Sequence, residues 1–500
     1  MQPKIYKKWK VFTTFCLLLC LFLSGCGGQE ADQKFWQQPA LHAYRAEISL
    51  DEQNHTLTGT LQIGYTNPTG QSLATAPLMV YPNAYETVET APFAKDELGK
   101  AYPDGFSAGG IAVDNVTVDG APAAATLQNK DHTRLDIALP QPIQAGQRVQ
   151  IAMNYTVQLP HCLGRFGYGA KTWNLCNFLP VACVWNGQTF LSHPYGAVGD
   201  PFVSDCGDYE VTLTVPEGMQ VAHTGTATQT NTENGRTTLC IEAKQVRDFA
   251  AVCSRSFEVE TYHVKSGGRR VTVRSFYQEG CQEGGQLAGQ AAKQAIEVFG
   301  KMYGAYPYAS FNAVQTDFFI GGMEYPGLVL LDQSLYQGVG MLDLERVSVH
   351  ETAHQWWYGV VGSDQVAEPW LDEALTDYST LLFMGEAKGA KEEQAFYDTY
   401  VTLLSDIMAP MYNRDQYEVS VGSPTTDFPN NGVYSLVVYT EGTKMLREVE
   451  TLVGRETMIK ALSAYYHKYA GKQATAENLI QTLEEQTGQN VRMTLAPYFK

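Results

Sequence analysis

The most informative segment of the sequence is His350-Glu351-Thr352-Ala353-His354, which continues as Gln355-Trp356-Trp357. On a helix, residues i and i+4 lie on the same face, so both imidazoles can reach one ion. Glu351 lies beside them, near the position of a metal-bound water but not on the metal itself. The pattern therefore predicts a metal site on a helix over about residues 344–360. A helix with two exposed histidines is the alternative that this motif alone leaves open.

The next predicted helix, over about residues 369–385, supplies a third ligand. Glu373 follows His354 with eighteen residues between them. Two histidines and one carboxylate leave the fourth position of a tetrahedral zinc ion open, as in catalytic rather than structural zinc sites. Upstream, Gly321-Gly322-Met323-Glu324-Tyr325-Pro326-Gly327 follows a strand-like run. Paired glycines at such a place allow a ligand to approach the backbone closely.

Together these segments resemble the gluzincin zinc aminopeptidases, the family of aminopeptidase N and leukotriene hydrolase. The similarity rests on Gly-Gly-Met-Glu, on His-Glu-x-x-His with its Gln-Trp-Trp continuation, and on Glu373. Weaker similarity to the family's N-terminal β-domain covers Asp208 to Gly225 and Arg247 to Ser254. The resemblance spans most of residues 160–500. It implies a peptide hydrolase whose substrates are peptides with a free N-terminus.

The resemblance also implies a role for each matching residue. The expected ligands of one Zn²⁺ per chain are His350, His354 and Glu373. The expected substrate-binding residues are Gly321, Gly322, Met323 and Glu324. Glu351 is expected to act as general base, and Glu324 to hold the substrate's α-amine, which restricts hydrolysis to the N-terminal peptide bond.

Two more residues complete the expected site. Tyr439 lies 66 residues after Glu373 in a Tyr-x-x-Gly context that matches the family, so it is the candidate hydrogen-bond donor to the oxyanion. A core tyrosine on an apolar helix is the alternative. Asp377, four residues after Glu373 on the same helical face, is a candidate acceptor for the second N–H of a zinc-binding imidazole. A solvated helix carboxylate is the alternative there.

The sequence departs from the family at three places. Tyr325 replaces the asparagine that usually follows Met-Glu, and a glutamine that assists amine binding from the N-terminal domain has no clear match. The sequence also ends at Lys500, without the large helical domain of longer relatives, which predicts a more open active site. A zinc endopeptidase or other hydrolase with an open cleft is therefore an alternative. A non-catalytic binding lipoprotein is a second one.

The N-terminus has the pattern of a bacterial lipoprotein signal. Four lysines precede an apolar run from Val11 to Leu23, which is too short for a normal membrane-spanning helix. Leu23-Ser24-Gly25-Cys26 resembles a lipobox, in which cleavage precedes the cysteine and its thiol is lipidated. Residues 1–25 are thus the predicted signal peptide and residues 26–35 a tether. The lipid on Cys26 would hold the exported protein on the outer face of the bacterial cell membrane. An ordinary cleaved signal is the alternative.

The pattern after residue 35 predicts a multidomain β plus α/β protein, since 500 residues exceed what one core normally holds. Residues 36–280 alternate in polarity between Gly, Pro and Asn turns, which predicts an antiparallel β-sandwich-like domain. Residues 281–500 are mainly helical and, by the resemblance, form a thermolysin-like catalytic domain. The net charge of −18 argues against nucleic acid as a partner. Disulfide pairing of the seven cysteines from Cys162 to Cys281 stays open.

Overall fold

The computed structural model describes residues 39–500. The predicted signal peptide (1–25), the predicted tether (26–35) and Cys26 lie outside the described residues. No helix within residues 39–500 combines the length and the apolar character that crossing a bilayer requires. The seven cysteines in this range are all free, and six of them are buried.

Strands dominate the first half of the described chain, and their alternating side chains explain why. Four apolar residues at alternating positions of one strand are all buried: Leu57, Leu61, Ile63 and Tyr65. The strands in chain order are β1 (His42–Asp51), β2 (Thr56–Thr66), β3 (Leu73–Met79), β4 (Gly110–Val118), β5 (Ala121–Pro122), β6 (Ala125–Gln128), β7 (Arg134–Ile143), β8 (Arg148–Gln158), β9 (Gly167–Tyr168), β10 (Trp173–Leu175), β11 (Val181–Ala182), β12 (Gly207–Pro216), β13 (Gln220–His223), β14 (Thr226–Glu233), β15 (Arg236–Val246), β16 (Ala251–Ser254), β17 (Phe257–Ser266), β18 (Arg269–Gln278), β19 (Ser310–Thr316), β20 (Gly322–Met323) and β21 (Leu328–Asp332).

Three sheets form the β-rich part. An eight-stranded sheet has the order β14-β15-β12-β1-β2-β8-β4-β5, and two four-stranded sheets have the orders β13-β16-β10-β9 and β11-β3-β7-β6. Their inward faces share one apolar core. Pairing within these sheets is antiparallel except between β1 and β12, which run parallel. The predicted β-rich domain is therefore confirmed, with this one parallel pair as a departure.

A fourth, mixed sheet has the order β17-β18-β19-β21-β20. The sequence places the domain boundary at residue 280, but β18 before that point pairs in parallel with β19 after it. Hydrogen bonding thus joins residues 257–278 to the sheet that carries the glycine-rich segment. We therefore propose a boundary near residue 256, since a sheet is one packing unit.

Helices make up most of the chain after residue 280, as the sequence predicts. In chain order the α-helices are α1 (Leu98–Ala101), α2 (Gln282–Met302), α3 (Met341–Ala353), α4 (Glu373–Lys388), α5 (Ala390–Phe396), α6 (Leu404–Met411), α7 (Asn431–Tyr434), α8 (Gly442–Val453), α9 (Arg455–Tyr469), α10 (Ala476–Thr487) and α11 (Val491–Leu495). Two π-helical segments, Tyr397–Leu403 and Ser435–Glu441, continue α5 and α7. A second apolar core lies between these helices and the mixed sheet.

Helix α3 is shorter than predicted, since it ends at Ala353 rather than near residue 360. Beyond it the chain turns, and the carbonyl groups of Tyr358 and Val360 accept hydrogen bonds from the guanidinium of Arg247. Those carbonyls bind a side chain of the β-rich part instead of continuing the helical ladder. The turn therefore fixes the end of α3, and with it His354, against the first domain.

Candidate active site

The predicted metal ligands meet at a cavity of about 490 Å³ between the mixed sheet and helices α3 and α4. His350 and Glu351 lie on the last turn of α3, and His354 is its C-terminal cap. Glu373 is the first residue of α4. All four side chains line the cavity. The structure thus brings together residues that are up to 23 positions apart in the sequence.

Three acceptor atoms converge at one point of this cavity. The Nε2 atoms of His350 and His354 are 3.1 Å apart, and each lies 3.3 Å from Oε2 of Glu373. No other group of residues 39–500 satisfies that Oε2 with a hydrogen bond. All three side chains are buried.

The opposite nitrogen of each imidazole explains how the rings are held. Nδ1 of His350 lies 2.7 Å from Asp377 Oδ1, and Nδ1 of His354 lies 2.6 Å from Asp372 Oδ1. When an imidazole is neutral and its Nδ1 donates the proton to a carboxylate, its Nε2 keeps a lone pair directed at the meeting point. Lone pairs of two nitrogens and one carboxylate oxygen repel one another unless a cation lies between them. Two imidazoles and one carboxylate form the donor set of a catalytic zinc ion, so the site fits one Zn²⁺.

The charged neighbours of the imidazoles also favour positive charge at this point of the cavity. Burial disfavours a charge on His350, but the Asp377 carboxylate raises its pKa to about 9. Burial likewise opposes charge on Glu373, yet the two histidines hold the pKa of that carboxyl well below its usual range. The site therefore keeps Glu373 as an anion and favours positive charge beside it.

Glu351 is placed as a base rather than as a ligand. It is buried, and its Oε2 has no hydrogen-bond partner in the described chain. Burial raises the pKa of Glu351 to about 7, although both histidines oppose that rise. A general base is most effective when its pKa is near the working pH. A Cβ at Gly322 would lie 2.1 Å from Glu351 Oε1, so only glycine leaves room for this carboxylate.

The glycine-rich segment forms the next wall of the cavity. Gly321, Gly322 and Glu324 line it, whereas the Met323 thioether is buried and accepts a hydrogen bond of 2.9 Å from Arg165 Nε. Glu324 comes within 4.8 Å of Glu351 and His354. Burial raises its pKa well above the usual range, although His354 opposes this. A buried carboxylate beside a metal site is suited to an ammonium group.

Tyr439 faces the cavity from the π-helical segment Ser435–Glu441, a kind of distortion that often occurs at functional sites. Its ring stacks on His350, with centroids 5.8 Å apart and an angle of 16° between the planes. Burial, assisted by the Glu373 charge, raises the pKa of Tyr439 well above 10, so the hydroxyl keeps its proton for donation. The neighbouring Tyr434 packs edge-on against it in the core and does not line the cavity.

Four residues of this neighbourhood were not identified from the sequence. Asp372 holds His354, and Gln365 donates hydrogen bonds to both Asp372 and Glu324, the latter at 3.1 Å. Arg165 and Asp200, both from the β-rich part, form a buried ion pair that lines the cavity. The position of Asp372 next to Glu373 was a usable signal. Nothing in the local sequence indicated the ion pair, which joins two irregular segments.

Tyr325, the departure from the family pattern, does not reach the cavity. Its ring is fully buried in the core of the β-rich part, and its hydroxyl donates to Asn177 Oδ1. The substitution therefore changes packing between the two domains rather than the wall of the cleft. The opposite wall is apolar instead, with one residue from each of four consecutive turns after residue 395: Phe396, Tyr400, Leu404 and Met408.

Comparison with known proteins agrees with this geometry. The model of the "Peptidase family M1 domain" matches residues 288–498. Residues 288–498 of this chain are thus similar to that domain. Glu324, His350, Glu351, His354, Glu373 and Tyr439 all lie within the matched M1 segment, whereas Arg165 and Asp200 lie before it.

Curated relatives of the M1 domain are distant and longer. "Aminopeptidase 2, mitochondrial" of Saccharomyces cerevisiae is 28% identical over 246 residues, which are 47% of this chain and 25% of that protein. "Aminopeptidase N" of Escherichia coli is 25% identical over 181 residues, which are 34% of this chain and 20% of that protein. The match thus spans a quarter or less of each relative's length.

Solved structures match almost the whole chain. The M1 zinc metallopeptidase from Deinococcus radiodurans aligns with a TM-score of 0.59 at 17% identity, covering 93% of this chain and 94% of that one. A mutant of that protein bound to a Tyr-Ser-Ala substrate aligns with a TM-score of 0.61 at 18% identity, covering 92% and 94%. At this identity the likeness shows a shared fold, in which a β-rich part precedes the M1 domain.

Proposed function

We propose that this protein is a zinc aminopeptidase, which hydrolyses the N-terminal peptide bond of peptides with a free N-terminus. The observation that carries the proposal is the position of Glu324. This buried carboxylate lies within 4.8 Å of His354 and Glu351, beside a three-acceptor metal site. Its hydrogen bond from Gln365 leaves capacity for further donors. A carboxylate so close to the metal favours a substrate whose ammonium group directly precedes the scissile bond.

The protein's own groups have distinct tasks in this reaction. Zinc bound by His350, His354 and Glu373 would supply a Lewis acid that polarises a carbonyl and lowers the pKa of a water molecule. Glu351 takes a proton from the attacking water and returns it to the departing amine. Tyr439 donates a hydrogen bond to the carbonyl oxygen as negative charge develops there.

Substrate positioning falls to the segment around β20. Glu324 binds the α-ammonium through a charge-assisted hydrogen bond, which fixes the first peptide bond over the metal site. Gly321 has a positive φ of 86°, and no atom lies within 4 Å of a Cβ built there, so the substrate backbone can approach this turn closely. The strand edge at Gly322 can hold the substrate as an added strand.

The names of the relatives support this choice of reaction. Both the yeast and the E. coli proteins are called aminopeptidases, and the mutant structure that shares this fold holds a Tyr-Ser-Ala substrate. The chemistry of this chain's cavity is consistent with such a ligand, since it offers a carboxylate for the amine and an apolar wall for side chains.

A panel of aminoacyl amides, assayed with and without a zinc chelator, tests the proposal. We expect hydrolysis that the chelator abolishes and that added Zn²⁺ restores. Zinc content should be measured in the same preparations. No hydrolysis of any amide by fully zinc-loaded protein would contradict the aminopeptidase assignment.

For the location, we propose an exported protein held on the outer face of a bacterial membrane by lipid on Cys26. The lysine-rich start and the apolar run before Leu23-Ser24-Gly25-Cys26 support this. Cys26→Ser should move the protein from the membrane fraction to the soluble fraction, because the lipid is the proposed anchor. Unchanged membrane association of that variant would contradict the proposal.

A further inference from the structure

Strand register places four basic residues of β17 and β18 on one face and the two glutamates of β17 on the other. Residues opposite each other in an antiparallel pair point to the same face. Thr261 pairs with Arg274, His263 with Thr272, and Lys265 with Arg270, so one face carries Arg270, Arg274, Lys265 and His263. Glu258 and Glu260 occupy alternate positions and point to the other face. Glu260 confirms this division, since it accepts hydrogen bonds from Tyr262 and from Gln286 on α2.

The basic face borders a cleft of about 390 Å³. Its walls come from β18 and β19 on one side and from the segment of β13 and β14 on the other. Among the described residues, no carboxylate lines this cleft, which is lined by Arg270, Arg274 and His223 together with small polar and apolar residues. The guanidinium groups of Arg270 and Arg274 have no ion-pair partner within residues 39–500. The cleft therefore holds positive charge that the protein itself does not neutralise.

A second cleft of similar size shows that this is unusual for the molecule. It has a volume of about 370 Å³ and is lined by three basic residues, Arg45, Arg148 and Lys244. Two of them are neutralised, because Arg45 lies 2.7 Å from Glu210 and Lys244 lies 3.8 Å from Asp208. The cleft at Arg270 has no such carboxylates among its described lining residues.

His223 links the two walls of the unneutralised cleft. Its Nδ1 lies 3.0 Å from the Thr224 carbonyl oxygen, and its own carbonyl accepts a hydrogen bond of 2.8 Å from Asn312 Nδ2 on β19. Burial, with a contribution from the Arg274 charge, lowers the pKa of His223. An anion bound at Arg274 would offset that contribution.

We propose that this cleft binds a phosphate-bearing anion, with Arg270 and Arg274 donating hydrogen bonds to its oxygens. Arginine presents a planar fork of N–H groups that matches the oxygens of a phosphate, and two unpaired forks on one strand face form a divalent receptor. Lys265 and His263 extend the same face outward for a longer ligand. The proposal stands independently of the peptidase activity, since no residue of the cleft lines the cavity at the metal ligands.

Isothermal titration of the zinc-loaded full chain with inorganic phosphate tests the proposal, with chloride added to keep ionic strength constant. We expect saturable binding by the unmodified protein and binding at least about tenfold weaker in Arg270→Gln/Arg274→Gln. Arg148→Gln, from the cleft that contains carboxylates, is the matched control and should bind as the unmodified protein does. The active site is the same in all three proteins, so any phosphate bound there cancels in the comparison. The phosphate affinity of Arg274→Lys should lie between those of the unmodified protein and the double variant. Lysine keeps the positive charge but lacks the planar fork of N–H groups.

Vesicles distinguish a lipid headgroup from a soluble phosphate as the source. If the ligand is a headgroup, the double variant should bind phosphatidylglycerol vesicles less than the unmodified protein, with no difference on phosphatidylcholine vesicles. If it is a soluble phosphate, the variants should differ in the titration alone. Equal phosphate affinity of the double variant and the Arg148→Gln control would overturn the proposal. Absence of binding to the unmodified protein up to about 10 mM phosphate, the range of a very weak complex, would do the same.

Discussion

Two buried polar clusters of this molecule are built in opposite ways. At the contact between the domains, the guanidinium of Arg247 is 1% exposed and donates to the carbonyl oxygens of Ser204, Tyr358, Val360 and Lys472. At the metal-ligand cavity, Glu351 and Glu373 are 5% and 3% exposed, and each keeps a carboxylate oxygen without a hydrogen bond from the described chain.

The difference distinguishes buried polar groups that stabilise the fold from buried polar groups that are available to a ligand. A buried polar group without a partner costs about 1–3 kcal/mol, so folding alone favours the arrangement seen at Arg247. At the cavity, the zinc ion that fits the site would supply the missing partner of Glu373. Substitutions at Arg247 should therefore lower stability, whereas substitutions at the cavity should lower zinc binding or turnover.

The largest effect is expected at the metal ligands. His350→Ala, His354→Ala or Glu373→Ala removes one of three protein ligands, so zinc content and activity should both be lost. Metal analysis and hydrolysis of an aminoacyl amide on the same sample check this. Full activity of a variant shown to be free of metal would refute the assignment.

The second-largest effect is expected at Glu351, the proposed general base. Glu351→Gln should keep zinc, since Glu351 is not a ligand, while turnover falls by about 10²–10⁴ because the proton acceptor is gone. The amide is close in size to the carboxylate, so folding should be unaffected. Loss of zinc in this variant would instead make Glu351 part of the metal site.

Arg247→Ala tests the buried polar cluster at the contact between the domains. Each of the four carbonyl groups loses one charge-assisted hydrogen bond, so the free energy of unfolding should fall by about 3–5 kcal/mol. Chemical denaturation measures this, and zinc content per folded chain should stay near one. A variant as stable as the unmodified protein would show that the domain contact does not depend on this side chain.

Tyr439→Phe is expected to have the smallest effect of the four. The variant should retain zinc, and turnover should fall by about 10²–10³, the usual cost of removing one oxyanion donor. Steady-state kinetics on an aminoacyl amide provide the test. Normal turnover would identify Tyr439 as a packing residue.

The local structure of individual strands and helices could be predicted from the sequence. The alternation in β12 puts Tyr209, Val211, Leu213 and Val215 on one face of the strand, and all four are buried. The spacing of His350 and His354 required a helix, and α3 carries that segment. Both signals depend on residues a few positions apart, which one pattern can report.

Contacts between distant segments could not be predicted in the same way. The alternation of β17 and β18 resembles that of the strands before them, and only the pairing of β18 with β19 shows which sheet they join. Arg165 and Asp200 come from stretches of short strands without periodicity, yet their ion pair lines the cavity. Gln365 likewise reaches Glu324 from a loop. Such contacts depend on the packed fold, which a single sequence does not display.

The most direct test of the central claim compares a free peptide with its N-acetylated form. If Glu324 binds the α-ammonium, acetylation removes the charge, and the unmodified enzyme should lose nearly all cleavage of that peptide. Glu324→Ala should slow cleavage of the free peptide and so reduce the difference in kcat/KM between the free and the acetylated peptide. Its zinc content should be unchanged. A lost charge-assisted hydrogen bond corresponds to about 1.5–3 kcal/mol, or roughly a 10- to 150-fold change in kcat/KM. If the unmodified enzyme instead cuts acetylated peptides internally as well as free ones, the protein is an endopeptidase and the role given to Glu324 is wrong.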